Sequence, residues 1–297
     1  MTTADHGRQA ALRRVERLRN LPTLSESGNR LLAAISRDHV DLSSLVSIIE
    51  RDVALTARVL KVANSPYYGY DRAVDSVHRA VVILGISVVR NVALASSLDP
   101  MFRGGRITPT FHLRELWQHS VAAAVLAEAL AEQRAPALTA LAFLGGLLHE
   151  VGWLVHLRHD PEGLSALAAD CEAARFPSVI ALRDEEIGRF GFCHEVLGAA
   201  LLDHWRLPPA LCEAVSDHHR GEGSAGPAPA DTHDLAIIIA DADQLTRQLG
   251  LGTCLEPYPV YDGAITPASL PLLLRARERL AAMSMLPQSL EPAAATP

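Results

Sequence analysis

The run 138–157, LTALAFLGGLLHEVGWLVHL, constrains the fold more than any other part of the chain. On a helix its apolar residues surround the axis instead of forming one stripe, and such a helix is stable only when other elements enclose it. It is expected at the centre of a helical bundle. Burial then takes His149 and Glu150 along, in the middle of the run. Buried imidazole and carboxylate groups need a hydrogen bond, an opposite charge or a metal ion.

Elsewhere apolar residues recur at spacings of three and four, while alternating β-branched runs are almost absent. The predicted fold class is all-α. Asp41 caps a helix carrying Leu42, Leu45, Val46 and Ile49; the next helix stops at Asn64-Ser65-Pro66; Ser76 opens another, which Gly85 interrupts. A long alanine-rich helix covers 112–134, and Asp160-Pro161-Glu162 combines cap, proline and acidic first turn. Further helices are expected at about 178–191, 193–205, 209–219, 235–249 and 267–283.

The chain has 297 residues with 27 basic and 34 acidic side chains, a formal net charge of −7. Proteins that grip duplex DNA need a basic face to displace counterions, yet Lys61 is the only lysine here and aromatic residues make up only 5%. Composition thus argues against nucleic acid as a partner. The apolar stretches 80–89 and 137–148 fall short of the roughly 18 residues of a membrane span, and residues 1–20 carry charges in place of a signal sequence. Cys171, Cys193, Cys212 and Cys254 are far apart, as expected of reduced, buried thiols in a cytoplasmic protein.

Thirteen histidines are available, and their placement is informative. His119 lies in the long helix, His149-Glu150 in the apolar run, His194 at a helix start, His218-His219 at a helix end and Asp241 within the next helix. A bundle can gather such residues into a site for zinc, iron, manganese or nickel.

That order resembles the HD superfamily of metal-dependent phosphohydrolases. More specifically, the chain is similar to the HDOD domain, the HD-related output domain of bacterial signalling proteins. The resemblance is carried by LPTLSESGNRLLAAI, DLSSLVSIIERDVALTARVLKVANSPYYG and DSVHRAVVILGISVVRNVALASSL in the first third. It continues through LWQHSVAAAVLAEALA, FLGGLLHEVGWLV, HEVLGAALLDHWRLPPALCEAVSDHH and IIIADADQL. It implies an N-terminal helical subdomain packed on an HD-like bundle. The expected divisions are an extension at 1–20, the HDOD domain at 21–220, a flexible loop at 221–232, helices completing the bundle at 233–285 and a disordered tail at 286–297.

Carried over by position, the resemblance implies metal ligands at His119, His149, Glu150, His194, His218, His219 and Asp241, for one or two divalent transition metal ions. Glu150 departs from the aspartate of catalytic members; its extra methylene displaces the oxygens by on the order of 1 Å, enough to disturb a catalytic geometry. Trp153 departs again, standing where the cyclic-dinucleotide phosphodiesterase branch has a phosphate-holding lysine, and that branch's GYP motif is replaced by RGEGSAGPAPAD. A cyclic-dinucleotide ligand therefore lacks its motif. Arg158 and Arg220 are the remaining candidates for phosphate contact, or else solvated surface residues.

The resemblance implies a stand-alone, non-catalytic regulatory module that acts through contacts with a signalling protein partner and involves no membrane. Tyr67, Tyr68 and Tyr70 are the candidate contact residues, with packing inside the fold as the competing role. The alternative is a phosphodiesterase or nucleotidase that activates water with its metal.

Overall fold

The computed structural model describes residues 3–17, 24–35, 41–69, 73–103, 108, 112–219, 230–253, 255 and 270–282. Among them the chain is all-α, with no strand. In order the helices are α1 (Thr3–Arg17), α2 (Glu26–Ile35), α3 (Leu42–Glu50), α4 (Val53–Ala63), α5 (Val77–Leu84), α6 (Ile86–Leu98), α7 (Leu113–Arg134), α8 (Thr139–Leu148), α9 (Gly152–His159), α10 (Pro161–Glu172), α11 (Val179–Phe190), α12 (His194–His204), α13 (Pro209–Ser216), α14 (Ala230–Gln248) and α15 (Leu270–Ala282).

They form two compact units. One comprises Leu24–Phe102 and Pro267–Pro297. Its helices start where short polar side chains satisfy the first free amides. Asp41 accepts from the backbone N–H groups of Ser43 and Ser44 at 3.1 and 3.2 Å, Asp52 from those of Ala54 and Leu55, and Ser76 from that of Arg79. Gly85, at φ 82°, turns the chain between α5 and α6 in a backbone region that other residues avoid. Asn64 clasps Val74 with two 2.8 Å hydrogen bonds, one to its carbonyl and one from its amide, which fixes both ends of the tyrosine segment.

The other unit comprises Met1–Thr23 and Arg103–Thr266. Its centre is α7, with α8 and α14 packed against it. The expected divisions shift at two places. Residues 1–20 are no mere extension, because α1 lies against α12 and buries Ala11 and Val15, an i, i+4 pair; a fully buried valine contributes about 1.5–3 kcal/mol. Within 233–285 only α14 completes the bundle; α15 buries Leu272, Leu273, Ala276 and Leu280 in the other unit, against the turn at Pro66–Tyr68. The expected flexible loop at 221–232 falls mostly, and the tail at 286–297 wholly, outside the described residues, although 230–232 are helical.

The apolar run also differs from one uninterrupted helix. It breaks after Leu148 and resumes at Gly152, with His149, Glu150 and Val151 on the intervening turn. The wider stretch Pro136–His159 is long enough to cross a bilayer, and its most apolar 18-residue window has a mean hydropathy of 1.6, more than the short stretches read from the sequence suggest. Its most apolar window is 78% buried inside this unit.

Candidate metal centre

Two glycine contacts set the geometry. A Cβ on Gly146 would stand 2.7 Å from the Ala123 carbonyl oxygen, so α8 approaches the α7 backbone as no other residue permits. That approach brings His119 and His149 together. A Cβ on Gly152 would stand 1.9 Å from the carbonyl oxygen of His194, so α9 starts directly against the first residue of α12. His218 and His219 follow the last turn of α13, and Asp243 comes from the middle of α14.

The side chains converge in two groups, one of His119, His149 and Asp243 and one of Glu150, His194, His218 and His219. Ligand atoms within each group lie within 4.8 Å of one another. Glu150 stands between the groups, with Oε1 3.6 Å from His149 Nε2 and 3.9 Å from His218 Nε2, and Oε2 3.8 Å from His194 Nε2. His119, His149, Glu150, His194, His218 and Asp243 are each at most 1% exposed, and His219 is half-buried.

The far nitrogen of four rings is already engaged. His119 Nδ1 donates to the Leu251 carbonyl at 3.0 Å, His149 Nδ1 to Gly146 at 2.8 Å and His218 Nδ1 to Val215 at 2.6 Å. A carbonyl can only accept, so each Nδ1 carries the proton and a neutral ring turns a bare Nε2 lone pair inward. His194 Nδ1 is held by the Glu186 carboxylate at 3.0 Å, and Glu186 also accepts the His194 backbone N–H at 2.6 Å. This arrangement fixes the tautomer and orientation of metal-ligating histidines.

Two features show that the donor set fits a divalent ion. His119 Nε2 and His149 Nε2 face each other at 3.1 Å, and in the neutral rings that sets lone pair against lone pair unless a cation lies beside them. His194 Nε2 and His218 Nε2 are buried without a hydrogen-bond partner among the described residues. Nitrogen and carboxylate oxygen are the donors preferred by zinc, iron, manganese and nickel.

For His149 and His218, electrostatics favour the same neutral state. Burial, with the charges of His218 and His119, pushes His149 well below the ordinary histidine value. Burial and His194 lower His218 to about 4. Burial opposes charge on Asp243, but Arg247 and His119 outweigh it and hold the carboxyl well below the usual carboxylate range. Arg247 Nη2 donates to Asp243 Oδ2 at 2.6 Å, which leaves Oδ1 for the site. Burial opposes charge on His194 too, yet Glu186, Glu195 and Glu150 keep its ring well above the ordinary value.

Six of the seven residues proposed from sequence come together here; Asp241 does not. It is 40% exposed and pairs with Arg134 on the outer side of the bundle unit. A helix turns about 100° per residue, so residues two apart point in nearly opposite directions and only one acid of Asp241-Ala242-Asp243 can face the site. That acid is Asp243. Sequence reading also missed Glu186, Glu195 and Arg247, which act on the site through His194 and Asp243. Trp153 is buried and stacks on the His194 ring, centroids 4.4 Å apart and planes 15° apart. Arg158 is exposed, and Arg220 lies outside the described residues. In the other unit Tyr67 is 44% exposed and meets Tyr68 edge to face at 4.8 Å; Tyr70 lies outside the described residues.

Comparison with known proteins agrees with this fold. The sequence model of the HDOD domain matches residues 21–221. A crystal structure of an HDOD domain protein of unknown function from Geobacter sulfurreducens superposes with a TM-score of 0.69 at 24% identity, covering 95% of this chain and 89% of that one. A candidate signal transduction protein from Marinobacter aquaeolei VT8 superposes with a TM-score of 0.70 at 24% identity, covering 95% of this chain and 65% of the other. A candidate metal-dependent phosphohydrolase from Shewanella amazonensis SB2B gives 0.56 at 20% identity, covering 94% and 99%. These likenesses show the fold. An uncharacterised protein of Treponema pallidum is 27% identical over 249 residues, covering 82% of this chain and 45% of the longer relative. The chain spans less than half the length of that relative, and 32% of the second curated relative, from Bacillus subtilis.

Proposed function

The chain belongs to the HDOD domain family, and from that premise we propose that it is a non-catalytic signal-transduction module with a closed divalent-metal centre, acting through protein contacts. One observation carries this reading: six of the seven converging ligands are at most 1% exposed, and the indole of Trp153 lies flat on His194 where a substrate-holding cation would be needed. Glu150, the carboxylate between the two groups, has no exposed surface, and of the seven ligands His219 alone is half-buried, which argues against ready access of a phosphoester.

His119, His149 and Asp243 would hold one ion, and His194, His218 and His219 a second, with Glu150 between them. A divalent ion bound there supplies Lewis acidity toward a phosphoryl oxygen and toward water. In this chain the surrounding residues point to a structural use of that ion, because they bury most of the ligands and hold four of the rings by hydrogen bonds. Tyr67, exposed beside Tyr68, is the proposed contact for a signalling partner.

A second reading, a metal-dependent phosphodiesterase or nucleotidase, rests on the donor set itself, five histidines and two carboxylates arranged for two ions. Elemental analysis of protein purified without chelator, followed by phosphodiesterase and nucleotidase assays with added manganese or iron, separates the two. The module reading expects bound metal with turnover at background. Metal-dependent turnover that disappears in His149→Ala would overturn it.

A further inference from the structure

A cavity of about 370 Å³ in the bundle unit is lined by Ala10, Arg13, Arg14 and Arg17 of α1, by His159 at the end of α9 and by Phe192 in the segment entering α12. Among the described residues no carboxylate lines it. Arg14 donates to His159 Nε2, while Arg13 and Arg17 make no ion pair among the described residues. Asp160, adjacent to His159, directs its carboxylate to the backbone N–H of Gly163 at 2.8 Å as the cap of α10.

Three guanidinium groups around one cavity concentrate positive charge in a chain whose formal net charge is −7. Arg13 and Arg17 are also an i, i+4 like-charge pair, which weakens a helix. Basic residues in the last turn of α1 complement its dipole. The dipole does not explain why three of them, a histidine and an aromatic ring share a concave surface. Guanidinium presents paired donors that match the oxygens of a phosphoryl group. The cavity volume falls in the lower part of the range for small-molecule sites.

We propose that this cavity is a binding site for a phosphoryl group, with Arg13, Arg14 and Arg17 as its ligands and Phe192 as the apolar wall against the remainder of the molecule. The site is separate from the metal centre and does not depend on it. Its placement gives it a regulatory position. His159 ends the helix that starts just after Glu150, and Phe192 precedes His194 by two residues. An occupant would clamp α1 to both segments.

The test is isothermal titration of the full chain with inorganic pyrophosphate, beside an Arg13→Gln, Arg17→Gln double variant whose helicity is checked by circular dichroism. Both side chains are exposed, so the variant is expected to fold. Saturable binding that weakens tenfold or more in the variant and declines with added sodium chloride supports the site. Equal affinity in the variant, or no binding at about 10 mM pyrophosphate, overturns it. Co-sedimentation with phosphatidylglycerol vesicles, lost in the same variant, would identify the phosphoryl source as a lipid headgroup; pyrophosphate binding without co-sedimentation would identify a soluble ligand.

Discussion

Asp243 Oδ1 lies 3.2 Å from His119 Nε2, at the meeting of α14 and α7. Its neighbour two residues earlier, Asp241, forms a surface ion pair with Arg134. Exchanging each acid for its amide should separate the roles. Asp243→Asn removes a ligand charge and breaks the ion pair with Arg247, 9% exposed, so metal content should fall tenfold or more and stability by about 3 kcal/mol. Asp241→Asn should keep the metal and change stability by less than about 1 kcal/mol, as expected of an exposed pair. Elemental analysis and thermal melts of the two variants read both effects; equal metal loss in both would refute the assignment.

The contact of Gly152 with the His194 carbonyl predicts a second contrast. In Gly152→Ala the new methyl would sit 1.9 Å from that oxygen, so α9 and α12 must separate. The expected loss is about 2–3 kcal/mol, as for other overpacked cores, together with weakened metal binding. Gly188, on the exposed side of α11, has nothing within 4 Å of its would-be Cβ and an ordinary helical backbone. Gly188→Ala should therefore stabilise the protein, by about 0.4–1 kcal/mol. Denaturant unfolding of both variants gives the two signs, and a neutral Gly152→Ala would show that the helices are not held at that distance.

Much of this was legible in the sequence, because caps, glycines and three-four spacing are local signals. Asp41, Ser76 and Asp160 cap the helices that their positions predict. The break at His149 was not legible, since no proline or polar cluster marks it; it follows from Gly152 meeting the carbonyl of a residue 42 positions later, 194 − 152. Asp243 could have been found. Leu235, Ile238, Ile239, Ala242 and Thr246 are buried on α14, and Asp243 falls four after Ile239 and three before Thr246, on the same face. Glu186 gave no such signal, because it reaches His194 across the turn between two helices. The Tyr67 segment was legible as a loop, but its clasp between Asn64 and Val74 depends on tertiary contacts.

Buried thiols give a pH prediction away from the metal ligands' own titration. Burial raises Cys171 to about 12, and burial with Glu195 raises Cys193 to about 12. An unfolded thiol ionises near 8.5. The folded state therefore holds more protons between these values, so the thiols' contribution to stability is complete below the unfolded value and is lost as pH rises toward 12. Iodoacetamide at pH 8 should leave both thiols largely unmodified in the native protein and label them on unfolding, as mass spectrometry of digests would show. Rapid native labelling at either position would contradict their burial.

Glu186 supplies the most discriminating test of how the centre is held. Its carboxylate accepts two N–H groups of one residue, the backbone amide of His194 at 2.6 Å and the ring Nδ1 at 3.0 Å, and His156 Nε2 lies 3.5 Å from its Oε2. The ring Nδ1 lies 3.0 Å from both carboxylate oxygens, so in either orientation glutamine sets its donating amide against that N–H and removes the negative charge beside the ring. The ring of His194 would then lose its fixed tautomer, and Nε2 would no longer be presented to the metal. Loss of such an outer partner generally weakens metal affinity about 10–100-fold. Cobalt titration followed by visible absorption measures that affinity and also reports the ligand field, which a purely structural role for Glu186 would leave unchanged in any protein that remains folded. Glu186→Asp, shorter but still able to accept both protons, should recover part of the affinity; if Glu186→Gln binds cobalt as tightly as the parent with the same spectrum, Glu186 does not position His194.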